Sequence, residues 1–449
     1  MEIKLNRSNK DVFTFNAVKA TKDHKHFETW IVDVKINFAI DPSKTFDGRL
    51  FIRKLSASLF KLKNKNFYFN LDSFLDLIPK KQITNMCFAI VCKLNSLNLT
   101  DFCLKTNKEK KTQFNIIVSK KYEQVYKLAN EVGLATNYAQ YAQVAPCNHM
   151  GIKKFIDFVK QKLAGVKKVK VSLLAQSELN KMQLLQAVNK GSDETAQVLI
   201  LEYYNNAAKK KVALVGKGIM MDTGGYSLKP SHAMKKMNED MTNAAAVFGT
   251  ILALAKNKTK VNAVGVIPLA KNFINDKAYK VGDIYTAYNG KTVEVNDTDA
   301  EGRLILADAI SYTDKKIAPT VLLSCATLTG LSALCFGEIL NPFWSTNPKI
   351  AKQFYNACSL AGEYALELPL LPEYLECVEK SSTVADYGNL NFGKTAGNAT
   401  AAAFLSKFNS KNDNFIHLDN AGTNEYCGKS INPFVLIFYN FVLNIFNRE

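Results

Sequence analysis

The sequence of 449 residues predicts an α/β protein of two domains: a smaller N-terminal α/β unit and a larger C-terminal unit with a mostly parallel sheet flanked by helices. Three observations predict it. The chain is longer than one compact core usually organises. Beyond residue 150, continuous apolar runs of strand length alternate with helical patterns, as in parallel sheets covered on both faces. A stretch with proline and asparagine, "VAPCNHM", breaks the pattern near residues 145–150 and divides the chain into 1–145 and 146–449.

In the first unit "TWIVDVKINFAI", "NFYFN" and "MCFAIVCKL" are rich in β-branched and aromatic residues between polar turns, and read as strands. "KKYEQVYKLANEVGLATNYAQYAQ" spaces its apolar residues as a helix does. Past the break come helix "GIKKFIDFVKQKL", strand "KKVKVSLL", helix "SELNKMQLLQAVNKG" and strand "AQVLILEYY". Strand "KVALVG", a long helix through "NAAAVFGTILALAKN", strands "NAVGVIPLA" and "KTVEVN", helix "RLILADAISYTD" and strand "TVLLSCA" follow. The apolar stretch Phe434 to Phe446, interrupted by Asn440 and Asn444, is too short to span a bilayer and reads as a buried terminal helix. In open α/β sheets ligands sit outside the carboxyl ends of the strands. The loops after "KVALVG" and "KTVEVN" are therefore where chemistry is expected.

Composition narrows the chemistry. An apolar fraction of 47% with 22% charged residues is that of an ordinary globular chain without a membrane partner. The start, "MEIKLNRSNKDVF", has no apolar core of a secretory signal. Nine cysteines without a C-x-x-C pair fit free thiols and a cytoplasmic location. Five histidines without H-E-x-x-H leave carboxylates as the main ligands for any metal. The net charge of +18 is uneven: residues 1–200 carry 33 Lys and Arg against 17 Asp and Glu, and the remainder 25 against 23. Spread-out lysines read as solvated faces, with nucleic-acid binding by the basic half as the alternative.

The first loop, "GKGIMMDTGGYSLKP", supplies Lys217, Asp222 and Lys229 around the turn-forming Gly224 and Gly225. Asp240 follows at the expected start of a helix, and the second loop, "DTDAEGRL", supplies Asp299, Glu301 and Arg303. Singly these residues have ordinary explanations: Thr298 and Glu301 fit a capping box, and Asp240 suits a helix's first turn. Together the acids would repel one another by several kcal/mol at about 4 Å separation, which bound cations would offset.

These motifs, with "AVNKGSDE", "ATLTG", "AGNATAAAFL" and "HLDNAGT", resemble the leucyl (cytosol) aminopeptidase family over roughly residues 120–449. The resemblance implies a metallo-exopeptidase that removes N-terminal Leu or other bulky apolar residues from peptides. It implies two divalent ions (Zn2+ or Mn2+, with Mg2+ or Co2+ as alternatives), one held by Lys217, Asp222, Asp240 and Glu301, the other by Asp222, Asp299 and Glu301. It gives Lys217 as a neutral amine ligand, Lys229 as the group that polarises the carbonyl, and Arg303 as the holder of a bicarbonate base. Met237, Thr327, Leu328 and Gly330 resemble the pocket for the first side chain, with Met237 on the same helical face as Asp240. A cytoplasmic homohexamer is implied, and a DNA-binding accessory role remains the second reading. Asp297, where the family usually has Asn, and Thr242-Asn243, where it usually has a glycine pair, depart from the pattern; the lost glycines are expected to narrow the approach to the site.

Overall fold

The computed structural model describes residues 12–19, 29–32, 35–40, 46–61, 66–98, 113–391 and 396–446. Two sheets dominate. The first has five strands in the order Thr29–Val32, Lys35–Ile40, Val12–Lys19, Asn66–Asn70, Gln113–Ile117, parallel except for the antiparallel Thr29–Val32 edge. The second has nine. Its middle is the parallel set Phe415–Asp419, Val321–Ala326, Val212–Gly216 and Asn262–Asn272. Gln197–Tyr204 and Val169–Leu173 extend one side antiparallel, and Leu340–Ser345 with Tyr364–Glu367 extend the other. Val212–Gly216 and Val321–Ala326 are buried at every position, which is why they read as unbroken apolar runs.

Three expectations are corrected. "MCFAIVCKL" is not a strand: it lies in the helix Ile83–Asn98. Cys87, Ile90, Val91 and Leu94 are fully buried, a helical i, i+3, i+4, i+7 stripe that β-rich composition concealed. The strand within "KTVEVN", Thr292–Glu294, does not join the large sheet but pairs with Ile284–Thr286 and Tyr387–Gly388 in a small sheet of three. The helix expected over "SELNKMQLLQAVNKG" is two short ones, Gln176–Leu179 and Gln183–Asn189.

The helix Glu123–Val144 packs against Ile83–Asn98 on one side and Thr242–Lys256 on the other, so one apolar cluster runs from Phe38 and Phe51 through Phe155 and Phe248 to Phe438. Each such fully buried aromatic or aliphatic side chain contributes about 1.5–3 kcal/mol. Thr242–Lys256 is buried on all faces except near its end and closes one side of the large sheet; Glu301–Tyr312 closes the other. The terminal helix Phe434–Phe446 is largely buried, and among the described residues no helix is long and apolar enough to cross a membrane.

Asp308 fixes the helix that carries Glu301. Its carboxylate accepts from Leu185 N at 3.0 Å and Tyr288 N at 2.7 Å, and burial pushes its pKa up to about 7. The folded protein thus holds this proton to higher pH than the unfolded chain does, so its contribution to stability is greatest below about pH 4 and is lost as pH rises towards 7. We expect denaturant midpoints to fall over that interval in the wild type, and Asp308→Asn to remove a component of the slope worth on the order of a few kcal/mol. Equal slopes in the two proteins would contradict this.

Candidate metal centre

The strand Val212–Gly216 delivers Lys217 to the sheet's edge, where its N–H donates to Cys325 O and its carbonyl accepts from Ala244 N, both at 3.0 Å. The chain re-forms a strand over Gly218–Asp222 against the far end of Asn262–Asn272. Asp222 Oδ1 accepts from Asn272 Nδ2 at 2.8 Å and Gly224 N at 2.9 Å. Gly224 and Gly225 then turn at φ +85° and +62°, a left-handed backbone that side chains disfavour. Thr298 joins the two loops: its hydroxyl donates to Gly224 O at 2.6 Å and accepts from Ser227 N at 2.7 Å. It does not cap the helix Glu301–Tyr312, whose N-cap is Ala300.

Asp240 follows a 3-10 turn, Met237–Glu239, and precedes the helix Thr242–Lys256. The helical face expected for Met237 and Asp240 is therefore that of a tighter turn, which also superposes residues three apart.

Lys217 Nζ lies 2.7 Å from Asp240 Oδ2 and 2.8 Å from Glu301 Oε1; Lys229 Nζ lies 2.9 Å from Asp222 Oδ2 and 2.5 Å from Asp299 Oδ1. Asp222, Asp299 and Glu301 each offer an oxygen within 4.8 Å of the others'. Burial and neighbouring carboxylates raise the pKa values of Asp240, Asp299 and Glu301. For both lysines burial opposes the charge, but the surrounding acids outweigh it and raise the pKa. By themselves, then, these carboxylates hold Lys217 protonated; the neutral amine implied by the resemblance requires a cation to displace that proton.

The residues fit such cations. Glu301 Oε2 is buried with no hydrogen-bond partner, a costly state for a carboxylate oxygen. The donor set is hard oxygen with one amine, suited to small divalent ions. Arg303 is buried, donates from Nη1 to Asn389 O at 2.9 Å, and leaves Nε without a partner; burial lowers its pKa to about 10.

All eleven expected site residues line one cavity of about 760 Å3: Lys217, Asp222, Lys229, Met237, Asp240, Asp299, Glu301, Arg303, Thr327, Leu328 and Gly330. Thr327 is more than a pocket wall. Its hydroxyl donates to Asp240 Oδ1 at 2.7 Å and its carbonyl accepts from Lys217 Nζ at 3.1 Å.

The two departures from the family pattern lie in different places. Asp297 lines the cavity, and its Oδ1 accepts from Asp299 N at 2.8 Å. Thr242 and Asn243 are buried, bonded to Glu239 O and Asn420 Oδ1, and do not line the cavity, so they do not narrow its approach.

Sequence reading missed the supporting residues. Asp419 accepts from Leu328 N, Thr329 Oγ1 and Ser332 Oγ, and so shapes the Thr327–Ser332 turn. Tyr279 donates to Thr298 O at 2.6 Å, and Asn389 bonds Asn296, Asp297 and Ala300. The motif "HLDNAGT" pointed at Asp419; nothing local marked Tyr279 or Asn389.

Carboxylates and lysines converging at the end of a largely parallel α/β sheet define a metal-dependent hydrolase centre. The comparisons identify the family. A family model described as "Cytosol aminopeptidase family, catalytic domain" matches residues 137–433. The probable cytosol aminopeptidase of Mycoplasma pneumoniae is 37% identical over 404 residues, 88% of each chain, and that of Mycoplasma genitalium 38% identical over 371 residues, 81% of this chain and 82% of its own. The solved structure titled "Bottromycin maturation enzyme BotP in complex with Mn" shares the fold, with a TM-score of 0.82 at 22% identity over 97% of this chain and 100% of that one. The chain belongs to the cytosol aminopeptidase family; it is a metal-dependent exopeptidase that acts on peptides.

Gly302 shows how tightly the centre is packed. A Cβ there would stand 2.6 Å from Lys217 Cε and 2.7 Å from Nζ. Gly302→Ala should therefore displace the Lys217 amine, lowering both bound metal by elemental analysis and turnover by about 10- to 100-fold with the far-UV spectrum unchanged. Wild-type metal content in this variant would contradict the packing account.

Proposed function

We propose that the protein removes N-terminal Leu and other bulky apolar residues from peptides at a centre of two divalent ions. Lys217, Asp222, Asp240 and Glu301 hold one ion, and Asp222, Asp299 and Glu301 the other. The observation that carries this reading is the buried, unpartnered Glu301 Oε2 within a carboxylate cluster that lines a peptide-sized cavity. When bound, the ions would supply Lewis-acid polarisation of the scissile carbonyl, acidification of a water and a site for an uncharged α-amine.

The chain's own residues do the rest. Lys229, charged and in the cavity, stabilises negative charge that develops on the carbonyl oxygen. Arg303, with an unused Nε donor, is the residue that would hold a bicarbonate, which would supply a general base. Thr327 orients Asp240 through its hydroxyl, while Met237, Leu328 and Gly330 offer surface for an apolar first side chain. Zn2+ or Mn2+ suits the mixed oxygen and amine donors, with Mg2+ or Co2+ as substitutes. A cytoplasmic homohexamer, and the division into 1–145 and 146–449, belong to the same reading. No observation among the described residues favours DNA binding, and many N-terminal lysines lie outside them.

Lys229→Ala should lower kcat for Leu-p-nitroanilide by about 100- to 1,000-fold without loss of metal. Asp222→Ala should lose metal as well as activity, because its carboxylate serves both ions. A purified, metal-loaded protein with no activity on any aminoacyl substrate would overturn the proposal. A Lys217→Ala variant with full metal content and turnover would overturn that residue's assignment.

A further inference from the structure

The hairpin Glu425–Tyr426 and Lys429–Ser430 forms a small sheet of its own and turns through Cys427 and Gly428 at φ 52° and 72°. A two-stranded hairpin is marginal in water, so contacts outside its own ladder must hold it. On one side it meets the catalytic cavity. Asn424 and Glu425 line the cavity, as do Glu239 and Glu338. Ser430 Oγ donates to Glu239 Oε1 at 2.7 Å, and Cys427 N donates to Glu338 Oε2 at 2.9 Å. On the other side it meets the N-terminal helices. The guanidinium carbon of Arg53 lies 4.2 Å from the centre of the Tyr426 ring, and Gln140 Nε2 donates to Ser430 O at 3.0 Å.

Arg53, on the helix Gly48–Phe60, does more than cover the ring. Its Nη1 donates to Glu363 Oε2 and its Nη2 to Glu338 O, each at 2.9 Å, and the side chains of Arg53 and Glu363 are 7% and 6% exposed. One buried fork thus ties together Glu363, Glu338 in the cavity wall, and the hairpin. A lysine has neither the plane nor the fork for this. A buried ion pair is weak ground for stability, because desolvation of both charges offsets much of their attraction. Here two of the three contacts of the guanidinium bear on the wall: Glu338 lines the cavity, and Tyr426 directly follows Glu425, which also does. Arg53 precedes the stretch that matches the family, and its hydrogen bonds go to none of the metal-holding side chains.

We infer that Arg53 is a positioning residue for peptide hydrolysis: by fixing Glu338 and the hairpin, it holds one wall of the catalytic cavity in the arrangement that receives substrate. The inference rests on the aminopeptidase reading above and adds to it a dependence on the N-terminal unit. With the fork removed, the hairpin and Glu338 lose their common anchor and the wall spreads over several arrangements. Substrate must then select the competent one, and apparent affinity falls by the fraction that is competent. The metal-holding residues keep their own partners, so the cost appears in binding and the chemical step persists.

The test measures kcat and KM for the tripeptide Leu-Gly-Gly, bound metal and melting temperature in the metal-loaded wild type, Arg53→Met, Tyr426→Leu and Glu363→Gln. Arg53→Met should raise KM about tenfold, with kcat within about threefold of the wild type and metal content unchanged. Tyr426→Leu should raise KM in the same direction, and the double variant should show less than the product of the two effects, because both act through one contact. Glu363→Gln removes the charge partner but leaves Nη2 on Glu338 and the guanidinium over Tyr426. It should lower the melting temperature while KM stays within about twofold, a contrast that loss of stability alone does not produce. A wild-type KM in Arg53→Met, an equal KM rise in Glu363→Gln, or a joint loss of metal and kcat overturns the inference and leaves the peptidase reading intact. If Arg53→Met fails to fold, Arg53→Lys replaces it, keeping the charge without the fork: KM raised by about threefold or more supports the inference, and a wild-type KM overturns it. A wild type that hydrolyses no aminoacyl substrate overturns both readings together.

Discussion

Asp222, Asp240, Asp299 and Glu301 share one buried space with Lys217 and Lys229, and the architecture of the site follows from keeping those like charges together. Each lysine bridges two acids, so the protein's own cations offset part of the repulsion. They do not offset all of it. Three of the four carboxyl groups are pushed towards their neutral forms, and one oxygen of Glu301 is left without any donor. A surface that retains such a cluster is poised for divalent cations, whose charge density meets what ammonium groups leave unmet.

The fold supplies rigidity to resist that repulsion. Lys217 lies between two consecutive strands of the large sheet and Asp222 ends the second, Glu301 opens a helix buried against the sheet, and Asp240 is held between a 3-10 turn and another buried helix. Around them is a layer of uncharged hydrogen-bonding groups: Asn272 on Asp222, Thr327 on Asp240, Thr298 across the two loops. Such partners fix ligand orientation without adding charge.

Much of this was legible in the one-dimensional pattern. Fully buried strands such as Val212–Gly216 and Val321–Ala326 announce themselves as unbroken apolar runs, and the motif spacing picked out seven polar side chains that line one cavity. The reading failed where local signals were ambiguous. Met86–Leu94 has the composition of a strand and the periodicity of a helix, and its packing against Glu123–Val144 decides for the helix. Thr298 and Glu301 have the spacing of a capping box, yet Thr298 turns to the Gly224 loop, 74 residues away, because that contact joins the halves of the site.

The sequence by itself determined the alternation of strands and helices, the family and the residue types that gather in the cavity, because each depends on residue type and short-range spacing. Tertiary structure alone decided which oxygen of each acid faces a lysine, which is left unpartnered, and that Lys236 meets Glu425, 189 residues away. Those outcomes depend on burial and on contacts between segments remote in the chain, whose energies no local pattern encodes.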